Sequence, residues 1–190
     1  MAVMSPAQEV GNAVSMVLPT AVLAFNAWAD PNSFVTVLLV GSAMHLPVSF
    51  TYHLSVAFER YQDRLDNDMR RLDQSMQHVA GTVFSFALSG SLGYTALNLA
   101  LNLRGLYYLW AKETSNDGKR WVPVLLCVLM YTAPMLWRGD YQNYGVAVAS
   151  MAVGGAAFVS SGWGHAVFHT VLVVYAQALA NSARKLPTAF

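Results

Sequence analysis

The sequence of residues 72–111, LDQSMQHVAGTVFSFALSGSLGYTALNLALNLRGLYYLWA, decides how many helices this chain contains. The segment is largely apolar, and no strongly charged loop interrupts it. As a single helix, its 40 residues would extend about 60 Å, which is roughly twice the hydrocarbon core of a bilayer. The chain must therefore reverse within the segment. Gly90-Ser91-Leu92-Gly93 is the best place, because glycine tolerates the backbone angles of a tight turn.

The composition of the whole chain favours lipid as its surroundings. Of its 190 residues, 55% are hydrophobic and only 11% are charged, whereas soluble domains carry about 25% charged residues. Mean hydropathy is +0.39. The net charge of +1 provides no electrostatic basis for binding nucleic acid. These values predict an integral membrane protein whose surroundings and partners are membrane lipids.

Apolar segments long enough to cross a bilayer recur along the chain, and they predict an all-α bundle of seven transmembrane helices in a single domain, residues 1–190. Polar breaks separate them at Asp30-Pro31-Asn32, in the charged segment 59–71, at 113–120 with its Asn116-Asp117-Gly118 turn, at 138–143 and at the Ser160-Ser161-Gly162 hinge. The predicted spans are 13–29, 34–58, 72–90, 94–111, 121–137, 144–160 and 164–181.

Loop charges predict the orientation of these spans in the membrane. With a cytoplasmic N-terminus, the inner loops hold seven basic residues and the outer side holds three, so the C-terminus is expected on the opposite side. The inner residues are Arg60, Arg64, Arg70, Arg71, Lys112, Lys119 and Arg120; the outer ones are Arg138, Arg184 and Lys185.

Two histidines four residues apart open the last span. His165 and His169 project from the same helical face, which suits two imidazoles on one tetrahedral metal ion. His53 is the natural third ligand, and three histidines on zinc leave a position for a water molecule of lowered pKa. Asp73 is then the candidate general base, and Ser49, one turn from His53, is the candidate to orient the water.

The number of spans determines whether these residues can meet. With seven spans, the end of the second, the start of the third and the start of the seventh share one membrane face. With six spans, His165 and His169 would lie on the other side from His53 and Asp73. Helix length and ligand placement therefore favour the same count.

Each polar residue also has a structural interpretation. His45 and His78 are expected to be hydrogen bonders between helices, and Asn98 and Asn102 to hold helices together. Asp73 follows two arginines, so an ion pair in the loop is an alternative to catalysis. Ser49 taken alone is more typical of helix packing.

Three motifs together resemble a known superfamily. Ser49-Phe50-Thr51-Tyr52-His53 matches SxxxH, the stretch from Leu72-Asp73-Gln74-Ser75 to Ala80-Gly81-Thr82 matches LDxS…AGT, and the stretch from His165 to His169 matches HxxFH. In this order they resemble the alkaline ceramidases, progestin and adipoQ receptors and haemolysin III-like proteins. The third-helix motif and the topology are nearer the adipoQ-receptor and haemolysin III-like branch. Gln74 departs from the pattern, since an aromatic residue or histidine is common there.

The resemblance implies Zn²⁺ held by His53, His165 and His169, with Ser49 and Asp73 flanking its water. It implies a ceramidase-like hydrolase acting on the amide of a lipid substrate, and Arg104, if it points inward, is a candidate to bind a polar head group. The alternative is a seven-helix receptor or signalling scaffold in which the zinc is structural. A transporter is the weakest interpretation, because the polar residues cluster at one face rather than along a pathway.

Overall fold

The computed structural model describes residues 4–58, 60, 67–111, 121–160 and 162–187, with the side chain of Trp121 excepted. All regular structure in these residues is α-helical, as the sequence predicts. The helices are α1 Pro6–Ser15, α2 Val17–Ala29, α3 Ser33–Ala57, α4 Asp68–Ser89, α5 Leu92–Trp110, α6 Trp121–Trp137, α7 Tyr141–Val159 and α8 Gly164–Ala183.

The first helical segment begins earlier than the sequence analysis placed it. The hydroxyl of Ser5 accepts a hydrogen bond from the backbone N–H of Gln8, and the Gln8 side chain accepts one from Ser5 in return. This reciprocal cap, with Pro6 in the first turn, starts a helix at residue 6 rather than 13. Since only Met16 separates α1 from α2, residues 6–29 form one nearly continuous segment.

The predicted reversal in the segment 72–111 is confirmed. Gly90 ends α4 in the left-handed conformation, with φ of 65°, and the hydroxyl of Ser91 caps α5. Asn32 caps α3 in the same manner after the predicted break. Within the predicted charged segment 59–71, α4 already begins at Asp68, while residues 59 and 61–66 lie outside the described residues. The predicted turn at 113–120 lies outside them as well.

Contacts between helix ends show that the direction alternates along the bundle. The indole N–H of Trp110, at the end of α5, donates to Ser75 near the start of α4. At the other end of the bundle, Arg138 after α6 contacts Ser182 near the end of α8. Helix α8 packs against α7 and α2 and also contacts α1, α3 and α4, so its two histidines face the interior of the bundle.

The bundle exposes many large apolar side chains, while its interior combines an apolar core with buried polar groups. Phe25, Leu92 and Val159 are each more than 60% exposed, whereas Phe34, Leu38 and Leu179 are buried together with alanines and several ionisable side chains. Three helical segments are long and apolar enough to cross a membrane: Pro6–Ala29, Ser33–Ala57 and Gly164–Ala183. These features suggest that the protein associates with a membrane.

Candidate metal centre

The three predicted histidine ligands lie together at one end of the bundle. His53 comes from the last turns of α3, and His165 and His169 come from the first turns of α8. One ring nitrogen of each lies within 4.8 Å of the others. The ring centroids are 4.8 Å apart for His53 and His165, 5.8 Å for His53 and His169, and 4.6 Å for His165 and His169. This group could hold a metal ion.

The side chain of Glu9 fixes the orientation of His53. Its Oε2 atom lies 2.7 Å from Nδ1 of His53, and both side chains are at least 96% buried. A carboxylate only accepts hydrogen bonds, so Nδ1 carries the hydrogen and the lone pair is on Nε2. Asn12 donates a further hydrogen bond to the same carboxylate oxygen, at 3.2 Å. Helix α1 therefore presents His53 with one nitrogen available for a metal.

His169 is held in the same tautomer by other atoms of α1. Its Nδ1 lies 3.1 Å from the backbone carbonyl of Asn12 and 2.9 Å from the hydroxyl of Ser15. Since the carbonyl can only accept, Nδ1 is the donor, and Nε2 is again available. Hydrogen bonds from ligand histidines to carboxylates and carbonyls are typical of protein metal sites.

These residues fit a zinc ion in both chemistry and spacing. Three neutral imidazoles form one of the common catalytic zinc sites, which keep an open fourth position. Tetrahedral zinc, with Zn–N near 2.0–2.1 Å, places its ligand nitrogens about 3.4 Å apart. In this structure the candidate nitrogens lie within 4.8 Å of one another, so they would have to move closer together to bind one ion. His165 is the least enclosed of the three and packs against Phe158, at a centroid distance of 4.7 Å.

Asp73 and Ser49 lie on the wall of the same cavity as the histidines. Asp73 is inside α4 and 7% exposed; its carboxylate accepts a hydrogen bond from His45 and lies close to Ser49. Arg71, in the turn before it, pairs instead with Asp68 at 3.7 Å. The interpretation of Asp73 as part of a loop ion pair is therefore wrong, because α4 begins earlier than predicted and carries Asp73 into the interior.

A cavity of about 260 Å³ runs from the histidines into the bundle. This volume is close to the lower end of ligand pockets, which range from about 300 to 1,000 Å³. Its polar groups gather around the histidines, and most of the remaining wall is apolar. Residues of that wall are Leu23, Phe84, Val128, Met151, Leu172 and Leu179, and the hydroxyl pair of Tyr131 and Tyr175, 2.5 Å apart, also borders it.

The structure separates Arg104 from this site. Its side chain is exposed on α5, with the guanidinium 5.6 Å from the ring centre of Tyr108, and it does not border the cavity. Arg104 is a candidate to bind a polar head group only if it points inward, and it does not. Arg70, one turn before Asp73, borders the cavity instead.

The other polar residues behave as helix-packing groups. Nδ1 of His78 lies 2.8 Å from the side-chain oxygen of Asn102, which joins α4 to α5. Asn102 in turn donates to Asn98 and to Thr82. The predicted role of His78 and Asn102 is thus confirmed, whereas the hydrogen bonds described for Asn98 come from Asn102 of the same helix. His45 has the partner Asp73, across α3 and α4, which the sequence did not indicate.

Sequence reasoning missed Glu9, Asn12 and Ser15. Their spacing of three residues places them on one helical face, and the capping sequence that starts at Ser5 indicates a helix there. A carboxylate on the buried face of such a helix is the signal that could have identified Glu9.

Comparison with protein-family models, with curated proteins and with solved structures gives no match to this chain. The superfamily resemblance therefore rests on its three motifs and remains a prediction. The geometry of the histidines and their partners supports a metal centre independently of it.

Proposed function

We propose that this protein is a membrane-embedded, zinc-dependent hydrolase that cleaves the amide bond of a lipid. One observation carries the proposal: three imidazoles converge at the polar end of a cavity that also presents a buried carboxylate and is otherwise mostly apolar. A metal centre, a general base and an apolar pocket are the components that a metal-dependent lipid hydrolase requires.

Exposed aromatic residues support insertion of all seven helical segments across a bilayer. At the histidine end of the bundle, Tyr107, Trp110 and Trp163 are 72%, 45% and 53% exposed. At the other end, Trp28, Trp137 and Tyr141 are 78%, 71% and 70% exposed. Two aromatic belts of this kind are typical of the two membrane interfaces. In this proposal the N-terminus and the histidine end lie on the cytoplasmic side, as the distribution of basic residues in the sequence favours.

His53, His165 and His169 would hold the zinc ion. When bound, zinc acts as a Lewis acid toward a carbonyl group and lowers the pKa of water to about 7. The residues of the chain then handle the protons. Asp73 takes a proton from the attacking water as the oxygen–carbon bond forms, and returns it to the leaving nitrogen as the carbon–nitrogen bond breaks. Ser49, close to Asp73 on the cavity wall, would orient the water.

The apolar part of the cavity would receive an acyl chain. Its wall runs along α4 through Phe84 and along α8 through Leu172 and Leu179, leading away from the histidines. A chain bound there places its carbonyl end among the polar groups and excludes water from the rest of the pocket. This arrangement favours substrates with one long acyl chain on the amide.

Hydrolysis of a panel of acyl amides by purified protein in lipid nanodiscs tests the proposal, with Asp73→Asn as the matched variant. We expect the wild type to release fatty acid, and Asp73→Asn to bind zinc equally well while hydrolysing about 10²–10⁴-fold more slowly. If zinc binds but neither protein hydrolyses any amide, the alternative gains support: a receptor or scaffold in which zinc joins α3 to α8. Full activity in Asp73→Asn would contradict the assigned base.

A further inference from the structure

His45 reaches from α3 to the carboxylate proposed as the base. Its Nε2 lies 2.9 Å from Oδ1 of Asp73, and the side chains are 17% and 10% exposed. Because the carboxylate oxygen accepts, Nε2 carries the hydrogen and donates it. Neither the zinc-ligand set nor the proton steps described above use this imidazole.

The polar residues of α3 form a stripe facing α4. His45, Ser49 and His53 are spaced four residues apart, so they lie on one helical face, and all three border the cavity. His45 hydrogen-bonds the carboxylate of Asp73, and Ser49 lies close to the same group. The carboxylate of Asp73 is therefore held by His45 of α3, with Ser49 of the same helix nearby, while the third member of the stripe belongs to the metal centre.

We propose that His45 is a positioning residue for Asp73, whose N–H fixes the carboxylate on the cavity wall where the substrate amide is attacked. This inference rests on the proposed function and deepens it. His45 joins α3 to α4 and also borders the cavity beside the carboxylate that it holds. Fixing a base against rotation favours reactive geometry, and small misplacements of catalytic groups reduce turnover strongly.

Two substitutions separate the hydrogen bond from the bulk of the ring. Glutamine offers a side-chain N–H at a reach similar to that of Nε2, whereas leucine offers none. We expect His45→Leu to lower kcat about 10–100-fold, with KM and zinc content unchanged, and His45→Gln to recover most of the loss. Equal losses in the two variants, or a change confined to KM, would overturn the assignment.

Gln177→Leu is the matched control for simple loosening of the bundle. Gln177 on α8 exchanges two hydrogen bonds with Asn26 on α2, of 2.9 and 3.1 Å, and neither residue borders the cavity. Its loss should lower the melting temperature while kcat is retained. If Gln177→Leu reduced kcat as much as His45→Leu, the effect of His45 would be a general loss of rigidity, and the positioning role would be wrong.

An infrared measurement tests the same contact without turnover. The carboxylate band of Asp73 is identified by subtracting the spectrum of Asp73→Asn, and it should shift in His45→Leu but not in His45→Gln. A shift in a protein that hydrolyses no amide would retain the positioning role and reject the hydrolase. An active wild type in which neither the band nor kcat responds to His45→Leu would retain the hydrolase and reject the positioning role.

Discussion

The two ends of the bundle both bury polar groups, but they pair them differently. At the end opposite the histidines, Lys185 donates to the buried carboxylate of Asp140 at 2.7 Å, and Asn143 donates to it as well. Arg138 there donates to the carbonyl of Leu88 and to Ser182. We call this group of residues the charged clamp. Its cations meet acceptors within the chain, which is typical of a structural network.

At the histidine end, hydrogen bonds with α1 engage only one ring nitrogen of His53 and one of His169. Nδ1 of His53 and Nδ1 of His169 each have a partner on α1, while one ring nitrogen of each of the three histidines lies within 4.8 Å of the others beside a cavity. Convergent lone pairs repel unless something positive lies between them. Burial of polar groups alone therefore does not identify a site, because both ends of the bundle bury them. A cluster of nitrogen atoms that could bind a metal does identify one.

Among variants at the two ends, removal of the histidines of α8 should have the largest effect, and that effect is on zinc content. We expect the double variant His165→Ala, His169→Ala to lose its zinc, from about one ion per chain to none, because one remaining imidazole cannot hold the ion. Elemental mass spectrometry on purified protein measures this. His78→Ala, which removes a histidine bonded to Asn102, is the control and should keep its zinc. Zinc retained in the double variant would place the metal elsewhere.

A smaller effect is expected at Glu9. The substitution Glu9→Gln keeps the size of the side chain but removes the charge that supports His53, so zinc affinity should fall about 10–100-fold. Competition with a chelator of known affinity measures the change. Gln8→Glu, at a half-buried position in the same turn where a glutamate can still accept from Ser5, controls for altered charge in α1. Unchanged affinity in Glu9→Gln would show that the carboxylate serves only to join α1 to α3.

The charged clamp should affect stability without affecting the metal. Lys185→Met removes the cation beside Asp140, and the free energy of unfolding should fall by about 1 kcal/mol, since the lysine is half exposed and its ion pair is screened by solvent. Thermal unfolding in detergent reports the loss, with zinc content measured in parallel. A fall in zinc content in this variant would mean that the two ends are coupled.

The smallest expected effect is the dependence of the charged clamp on pH. Burial alone raises the pKa of Asp140, but hydrogen bonds from Lys185, Asn143 and Ser182 outweigh it and hold the pKa below its ordinary range. The stabilisation is therefore complete above the unfolded pKa, about 3.9, and is lost as pH falls through the folded value. The difference in melting temperature between wild type and Asp140→Asn should stay constant from pH 7 to 5 and narrow below pH 4. A difference that narrowed near neutral pH would contradict this assignment.

The helices and the convergence of the histidines follow from signals within short segments. Hydropathy, the length limit of one span and glycine geometry located the reversal at Gly90, and that reversal brings His53 and His165 to one end. Glu9 was missed because the apolar segment that predicts the first span begins after it, whereas the helix itself begins at the Ser5 cap. The His45–Asp73 contact joins residues 28 apart on different helices, and only the packing of α3 on α4 determines it.

The hydrogen bonds between α1 and α8 also bear on when the metal centre can form during synthesis of the chain. Ser15 and His169 are 154 residues apart, yet each contributes to the same centre. During synthesis, His53 and Glu9 are made long before the histidines of α8. In the proposed zinc protein, metal loading would therefore be a late step of maturation, and a chain that stopped before α8 would lack two of the three ligands.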